Sequence, residues 1–545
     1  MNIRNVFSRI SSSICMPFAK WHSLSHVCER VLFTAFWPSP KAHLLLFASA
    51  LALTSCVSDS TTLPTRPLSE ITIEAGIESL YNINKNEPLH IRPTFSQTNS
   101  PKTLSYTWEV NQKFFSNAEE FVFPATELGT FQCRLTVENE DGKTFFPFTV
   151  NVNSPYEEGI ALLSQQPDGQ SMLSFMLTPS DGTTERHFTT GDCFTLNNPD
   201  LSFSPRCIDM VQSSNSLIIA CQGSNPSSLE GGATEESPTI YYLNEKTLVA
   251  ENVVTVTEYD DFVPTHLVIP SVGASGVAYP ILCENGSIYE FSTTEGAISK
   301  PTNFRSRYAQ TCLAHDDGGA GWSFDLVFWD KEKGDLCDLY SGYGPYYCST
   351  KYLLVRDSVN AQTNYFVNND IVKIVPISLT AKQKRTDKSE MLVLTKNAFM
   401  TRKTILSTGF WEYDTTEGVA KLWDNGGTTT ACMGTNILNE QTPCVANKTF
   451  YSLLFAQGNK VRRWNYATSQ QLDKADVLQT FGSETAVVTD LVISADHLTT
   501  YVAFYEPSQP GLNGSVYVIS TDTGDILERH DNICYRPVRM IYKKK

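Results

Sequence analysis

From Ser154 to Lys545 the chain repeats one local pattern, and that pattern excludes most fold classes. Each unit is a short apolar run, a polar turn, and a second run carrying one or more aromatics. Leu217 to Gly223 is followed by Thr239 to Asn244, and Ile281 to Gly286 by Ser287 to Ser292. Met391 to Lys396 precedes Gly409 to Asp414, Tyr451 to Gln457 precedes Val461 to Tyr466, and Thr500 to Tyr505 precedes Ser515 to Ser520. No stretch here spaces its apolar residues as an amphipathic helix does. A hairpin with one apolar face needs neighbours, and stacking hairpins around an axis supplies them. Blades of roughly 40 to 50 residues predict a β-propeller over 154–545, with seven blades favoured and eight possible. Glu230 to Pro238 and Ala381 to Ser389 read as inserted loops.

A different texture precedes it. Leu104, Tyr106, Trp108 and Val110 alternate with polar residues, as do Phe131, Cys133, Leu135 and Val137. Asp141-Gly142 supplies a hairpin turn, and Phe146, Phe148, Val150 and Val152 form the return strand. Period-two alternation around an Asp-Gly turn predicts strands with one buried face. Residues 68–153 therefore read as a small β-sandwich, so the whole chain is expected to be all-β.

The first 67 residues carry no folded domain in this reading. An apolar run from Leu44 to Leu53 follows Lys41 and His43 and ends in Leu53-Thr54-Ser55-Cys56. It is shorter than the roughly 20 apolar residues that span a bilayer, and its flanks match a secretory signal. The Leu-x-Ser-Cys ending predicts lipid attachment at Cys56. Residues 1–56 are then a signal region with an N-terminal extension, and 57–67, polar with Pro64 and Pro67, a tether.

Leu104 to Val110, Gly129 to Val137 and the junction Tyr156-Glu-Glu-Gly-Ile-Ala-Leu-Leu-Ser164 together resemble the PKD-like family lipoproteins of Bacteroidetes. The resemblance implies an N-terminal immunoglobulin/PKD-like domain followed by a β-propeller-like region. It also implies an accessory of an outer-membrane nutrient uptake system, with a TonB-dependent transporter and its substrate-binding lipoprotein as partners. The implied cargo is a glycan or a peptide, and the implied location the outer membrane. Just after Cys56 there is only Asp59, short of the acidic cluster of surface-exported relatives, so a periplasm-facing anchor stays open.

A formal net charge of −16 repels phosphate backbones, so no nucleic-acid partner is expected. No zinc-protease, serine-hydrolase or phosphate-loop motif occurs, and no catalytic residue or cofactor is assigned. Asp260-Asp261 and Asp330 with Glu332 offer carboxylates for a glycan hydrolase or lyase, the enzyme alternative. An envelope structural or adhesion role is the other alternative. The turn Asp522 to Asp525 lacks the ligand count of a calcium loop, leaving structural Ca²⁺ as the only metal with a foothold. The cysteines after Cys56 are odd in number, and export permits disulfides; Cys337 with Cys348 and Cys432 with Cys444 are spaced to close local loops.

The ligand-binding candidates are two loops. His315, Asp316 and Asp317 lead through a Gly-rich turn to Trp322, while Tyr343, Tyr346 and Tyr347 crowd the segment between Cys337 and Cys348. Aromatics on loops of a rigid scaffold make stacking platforms, and neighbouring carboxylates accept hydrogen bonds from hydroxyls or amides. His266, His497 and His530 stand isolated and read as packing or surface residues.

Overall fold

The computed structural model describes residues 66–178, 186–189, 191–212, 216–224, 237–268, 278–292, 296–300, 309–315, 325–330, 335–341, 348–355, 371–378, 390–403, 410–414, 419–424, 430–447, 449–494 and 496–544. Almost all of their regular structure is β-strand, organised in several sheets. That architecture is compatible with the expected propeller and sandwich class. Among the described residues one short α-helix occurs, Cys193–Asn197, begun by the Asp192 carboxylate, which accepts from the backbone N–H groups of Phe194 and Thr195. No described helix is long and apolar enough to cross a membrane.

Two compact units divide the chain. One gathers the segment ending at Ile71 with Gln97–Thr103 and Asn139–Gly142. Its centre is Asp141, which pairs with Arg66 and with Lys102 at 2.9 Å and accepts the Ser69 N–H at 2.9 Å. The Ser69 N–H and then the Lys102 ammonium hold the Asp141 carboxyl down at about 2. Asn139 caps the same turn, its side-chain oxygen accepting from the N–H groups of Asp141 and Gly142.

The other unit holds Thr72–Ser96, Leu104–Glu138 and Lys143–Lys545. Its first sheet runs in the order Leu80–Asn84, Gly142–Asn153, Gly129–Asn139, Ser105–Val110, Lys113–Ser116. The register sets Trp108 opposite Leu135, Tyr106 opposite Val137 and Val110 opposite Cys133, so the predicted inward residues share one face. Trp108 is fully buried, its ring 4.9 Å from that of Phe121, and its indole N–H donates to the Ala118 carbonyl at 2.8 Å. Cys133 is a buried apolar filler; burial pushes its thiol up to about 12.

Beyond Ser154 the strands fall into antiparallel meanders. The first comprises Gly159–Gln165 and Ser171–Leu177, with the C-terminal strand Arg536–Lys543 on the other side of Gly159–Gln165. Gly159 opens it at φ +156°, where a Cβ would strike the Met176 carbonyl oxygen. The second runs Cys207–Gln212 to Ala250–Thr255, and the third Pro264–Leu267 to Ala297–Ser299. The fourth, Ala309–His315 to Cys348–Val355, carries two further strands, Phe410–Asp414 and Val419–Asp424, on its outer edge. The fifth begins at Ile371–Ser378 and the sixth at Cys444–Asn447, these first strands being joined in parallel. The seventh runs Val487–Ile493 to Ile526–Cys534.

Apolar clusters join these meanders pairwise. Leu163, Phe175, Leu217 and Tyr241 join the first and second, and Ile218, Ile240, Tyr289 and Phe291 the second and third. Leu392, Leu394, Leu453 and Trp464 join the fifth and sixth, and Leu454, Val461, Val502 and Phe504 the sixth and seventh. Ile160, Leu162, Tyr501 and Val516 join the seventh back to the first. Each such side chain contributes about 1.5–3 kcal/mol by burial, so these clusters stabilise the meanders they join.

Candidate functional site

Six of the seven meanders share one irregularity, in the opening strand of the second to fifth and of the seventh, and in Arg536–Lys543 of the first. An extra residue bulges out near the start of the strand: Ile208, Thr265, Gln310, Val372, Thr489 and Val538. The residue after each bulge then sits at the same level of its sheet: Asp209, His266, Thr311, Lys373, Asp490 and Arg539. A bulge re-aims the side chain that follows it. Here that side chain is polar every time, and the next two residues, such as Met210-Val211 or Leu491-Val492, return to the apolar pattern.

Arg539 organises this layer. Its Nε lies 2.9 Å from Asp209 Oδ1, and Nη1 lies 3.8 Å from Asp490 Oδ1. Three sheets thus meet at one guanidinium. Asp209 Oδ2 accepts the Leu267 N–H at 2.8 Å, while Asp490 Oδ2 accepts the Met540 N–H at 2.6 Å. Each carboxylate also caps its own strand, Asp209 at the Met210 N–H and Asp490 at the Leu491 N–H. An aspartate after one bulge therefore clasps the backbone next to the polar residue of the following sheet, twice over.

The electrostatics follow from that enclosure. Burial raises the Asp490 carboxyl above its ordinary range, against the pull of Arg539 and two backbone N–H groups. The Asp209 carboxylate raises the Arg539 pKa. His266 is open to solvent, yet loss of hydration pushes its imidazole below the usual range, with Arg539 and Lys373 adding to the fall and Asp209 opposing it. Lys373 Nζ donates to the Glu440 carbonyl. Burial raises the nearby Cys444 thiol, which the charges of Lys373 and Asp490 reach.

The loop candidates fare differently. His315 ends the strand Ala309–His315, four residues beyond Thr311 and so away from the polar layer. Its rung continues through Asp325, Tyr340 and Ser349, which places the ends of the strands flanking both loops in one row. Asp316, Asp317, Trp322, Tyr343, Tyr346 and Tyr347 lie outside the described residues, as does Cys56. The register sets Cys337 opposite Tyr352 and Cys348 opposite Ser341. Four rungs of about 3.3 Å separate the two cysteines, beyond the reach of a disulfide. Cys432 and Cys444 are both free thiols, packed at the core between the fifth and sixth meanders.

Other sequence candidates are committed elsewhere. Asp261 accepts from Tyr289, from Lys300 at 2.9 Å and from Asn285 at 3.0 Å, and the Tyr289 hydroxyl first among these holds its carboxyl at about 2. Such an acid is ionised at all ordinary pH and makes a poor proton donor. Asp330 is buried, and Glu332 lies outside the described residues. Asp522 pairs through Oδ1 with Arg463 at 3.3 Å, and Asp525 Oδ2 accepts from Thr523, so one oxygen of each carboxylate in the turn is engaged within the protein. Among the described residues no cluster of His, Cys, Asp and Glu could hold a metal ion.

No protein-family model and no curated protein matches the chain. Among solved structures, a quinonprotein alcohol dehydrogenase-like protein from Bacteroides thetaiotaomicron is similar over 88% of this chain and 99% of its own, at 13% identity and a TM-score of 0.44. A 6-phosphogluconolactonase candidate from Bacteroides uniformis is similar over 71% of this chain and 100% of its own, at 9% identity and a TM-score of 0.38. The chain is thus a mostly-β protein with weak structural similarity to propeller-like folds. Likenesses this low carry no residue-to-residue correspondence.

Proposed function

We propose that this chain is a lipid-anchored binding protein whose seven meanders are the blades of a propeller, with its ligand site on the axis at the polar layer. The observation that carries the site is Arg539, supplied by the C-terminal strand and flanked by aspartates from the second and seventh meanders. Contacts between strands of successive meanders support the ring: Arg536–Lys543 with Cys207–Gln212, that with Pro264–Leu267, Ala278–Cys283 with Ala309–His315, that with Ile371–Ser378, then Cys444–Asn447 and Val487–Ile493, which returns to Arg536–Lys543. Residues 68–153 form the immunoglobulin/PKD-like domain in this proposal, Cys56 carries the lipid, and the partners are an outer-membrane transporter and its substrate-binding lipoprotein.

Binding is favoured over catalysis because the axial carboxylates are spent. All four oxygens of Asp209 and Asp490 face backbone N–H groups or Arg539. One observation favours a hydrolase or lyase as the second reading: Asp490 is pushed up and His266 down within the same layer, the opposed tuning that acid–base sites use.

The test is a glycan and peptide binding screen of the purified full chain, repeated with His266→Ala and with Tyr343, Tyr346 and Tyr347 changed together to alanine. Loss of binding with His266→Ala supports the axial site. Loss only with the triple change moves the site to the loops, and bond cleavage in any hit establishes the enzyme. Anchoring is tested separately: Cys56→Ser should release the protein from the membrane fraction, and unchanged membrane association would refute lipidation.

A further inference from the structure

We infer that the axial layer takes an oxyanion, the carboxylate, sulfate or phosphate group of its ligand, on the guanidinium of Arg539; this rests on the axial site proposed above. Arg539 is not spent by its neighbours among the described residues. A guanidinium carries five N–H donors in a rigid fork. Asp209 faces Nε and Asp490 faces Nη1 at the longer 3.8 Å, so most of the fork remains available. Exposure divides the same way: the arginine side chain is 43% exposed, while those of Asp209 and Asp490 are 5% and 10% exposed. The aspartates sit behind as positioning residues, and the cation is presented to the open space.

Those carboxylates do not repel an incoming anion at full strength. Each already accepts backbone N–H groups from two strands, so its charge is dispersed into oriented dipoles behind the layer. The same layer holds the Arg539 fork, Lys373 and the His266 ring, and the charges of Arg539 and Lys373 both reach His266. Lys373 donates one hydrogen bond to the Glu440 carbonyl, and among the described residues its other two donors are left for a ligand. A planar fork fixed by two carboxylates has lost its side-chain freedom before the ligand arrives, which lowers the ordering cost of binding. An acidic surface suits neutral or cationic cargo in general, but the axial layer is a local exception built from three separate sheets.

Titration calorimetry of the purified full chain tests this with D-glucuronate and D-galacturonate, inorganic sulfate and phosphate, and neutral glucose and an uncharged peptide amide. Variants are Arg539→Gln, Arg539→Lys and, as a change that leaves the inter-sheet clasp intact, Lys373→Gln. The expected result is binding of at least one oxyanion, weakened about 30-fold or more by Arg539→Gln. Arg539→Lys, which keeps the charge and loses the fork, should fall between, and Lys373→Gln should cost several-fold. Uronates binding in preference to sulfate and phosphate identify a carboxylate sugar; the reverse identifies a free or ester-borne inorganic anion. Neutral probes binding in a His266-dependent way, with no oxyanion bound, would overturn the oxyanion inference and leave the axial site standing. Oxyanion binding unchanged in both Arg539→Gln and Lys373→Gln would overturn the axial site itself. No binding by any probe would overturn the oxyanion inference.

Discussion

Replacing Arg539 with methionine removes the cation that faces both Asp209 and Asp490 while keeping an unbranched side chain on the strand. Breaking a buried ion pair by deleting one partner costs roughly 3–5 kcal/mol, because a desolvated charge is left behind. Two features reduce that here. Arg539 is 43% exposed, so water screens part of the interaction, and each carboxylate keeps its two backbone donors. The expected loss is about 1–3 kcal/mol at pH 7, read as a lower urea midpoint at unchanged slope. The pH dependence has a definite sign. The Asp490 carboxyl is raised in the folded chain, so its ionised form costs stability above the folded pKa, and that cost disappears as pH falls toward the unfolded value of 3.8. Without Arg539 the carboxyl rises further and the window extends upward, so the deficit should shrink between pH 7 and pH 5. A variant as stable as the parent at pH 7, or one whose deficit grows on acidification, would refute the clasp.

Trp108→Ala should cost about 3–5 kcal/mol in the first sheet, since the indole is fully buried and its N–H bond to Ala118 is lost; near-UV circular dichroism during urea unfolding reads it. Asp141 is held at about 2, a depressed carboxyl, so its contribution is fully present above pH 3.8 and is lost as pH falls through 2. Asp141→Asn should remove that acid-side dependence and speed proteolysis after Arg66, measured by timed digestion at pH 7. A variant cleaved no faster than the parent would show that Asp141 does not hold this segment.

Local pattern and long-range geometry were unequally legible in the sequence. The strand containing Trp108 is read by simple alternation because its partner, Gly129–Asn139, alternates in step, and Trp108 meets Leu135 as the pattern requires. The hairpins beyond Ser154 are legible for the same reason, and Trp464 lies in the core as its place in the repeat suggests. The polar layer is not legible that way. Each bulge inserts a residue that breaks period two just before the polar side chain, so His266 and Asp490 look like isolated exceptions in apolar strands. Their meaning comes only from sheets far apart in sequence meeting at Arg539. A usable signal exists: a polar residue followed by two apolar ones, recurring in six of the seven meanders, as in Asp209-Met-Val, His266-Leu-Val and Lys373-Ile-Val. The cysteine pairs fail for a plainer reason. Short spacing brings two residues near one another only if the register agrees, and in Cys337 and Cys348 it does not.

In the proposed ring, pairing of the C-terminal strand with Gly159–Gln165 joins the ends and places Arg539 in the layer. Ala161 and Ile541 are direct partners in that pairing. Opposed residues on antiparallel strands bring their Cβ atoms to about 4.5–5.5 Å, and such sites can form a disulfide after modest adjustment. The measurement is peptide mapping of the Ala161→Cys, Ile541→Cys double variant under non-reducing conditions. Closure predicts one dominant linked peptide pair joining positions 161 and 541, absent from either single variant. A folded double variant in which both new thiols stay free, or in which they pair with other cysteines instead, would contradict it.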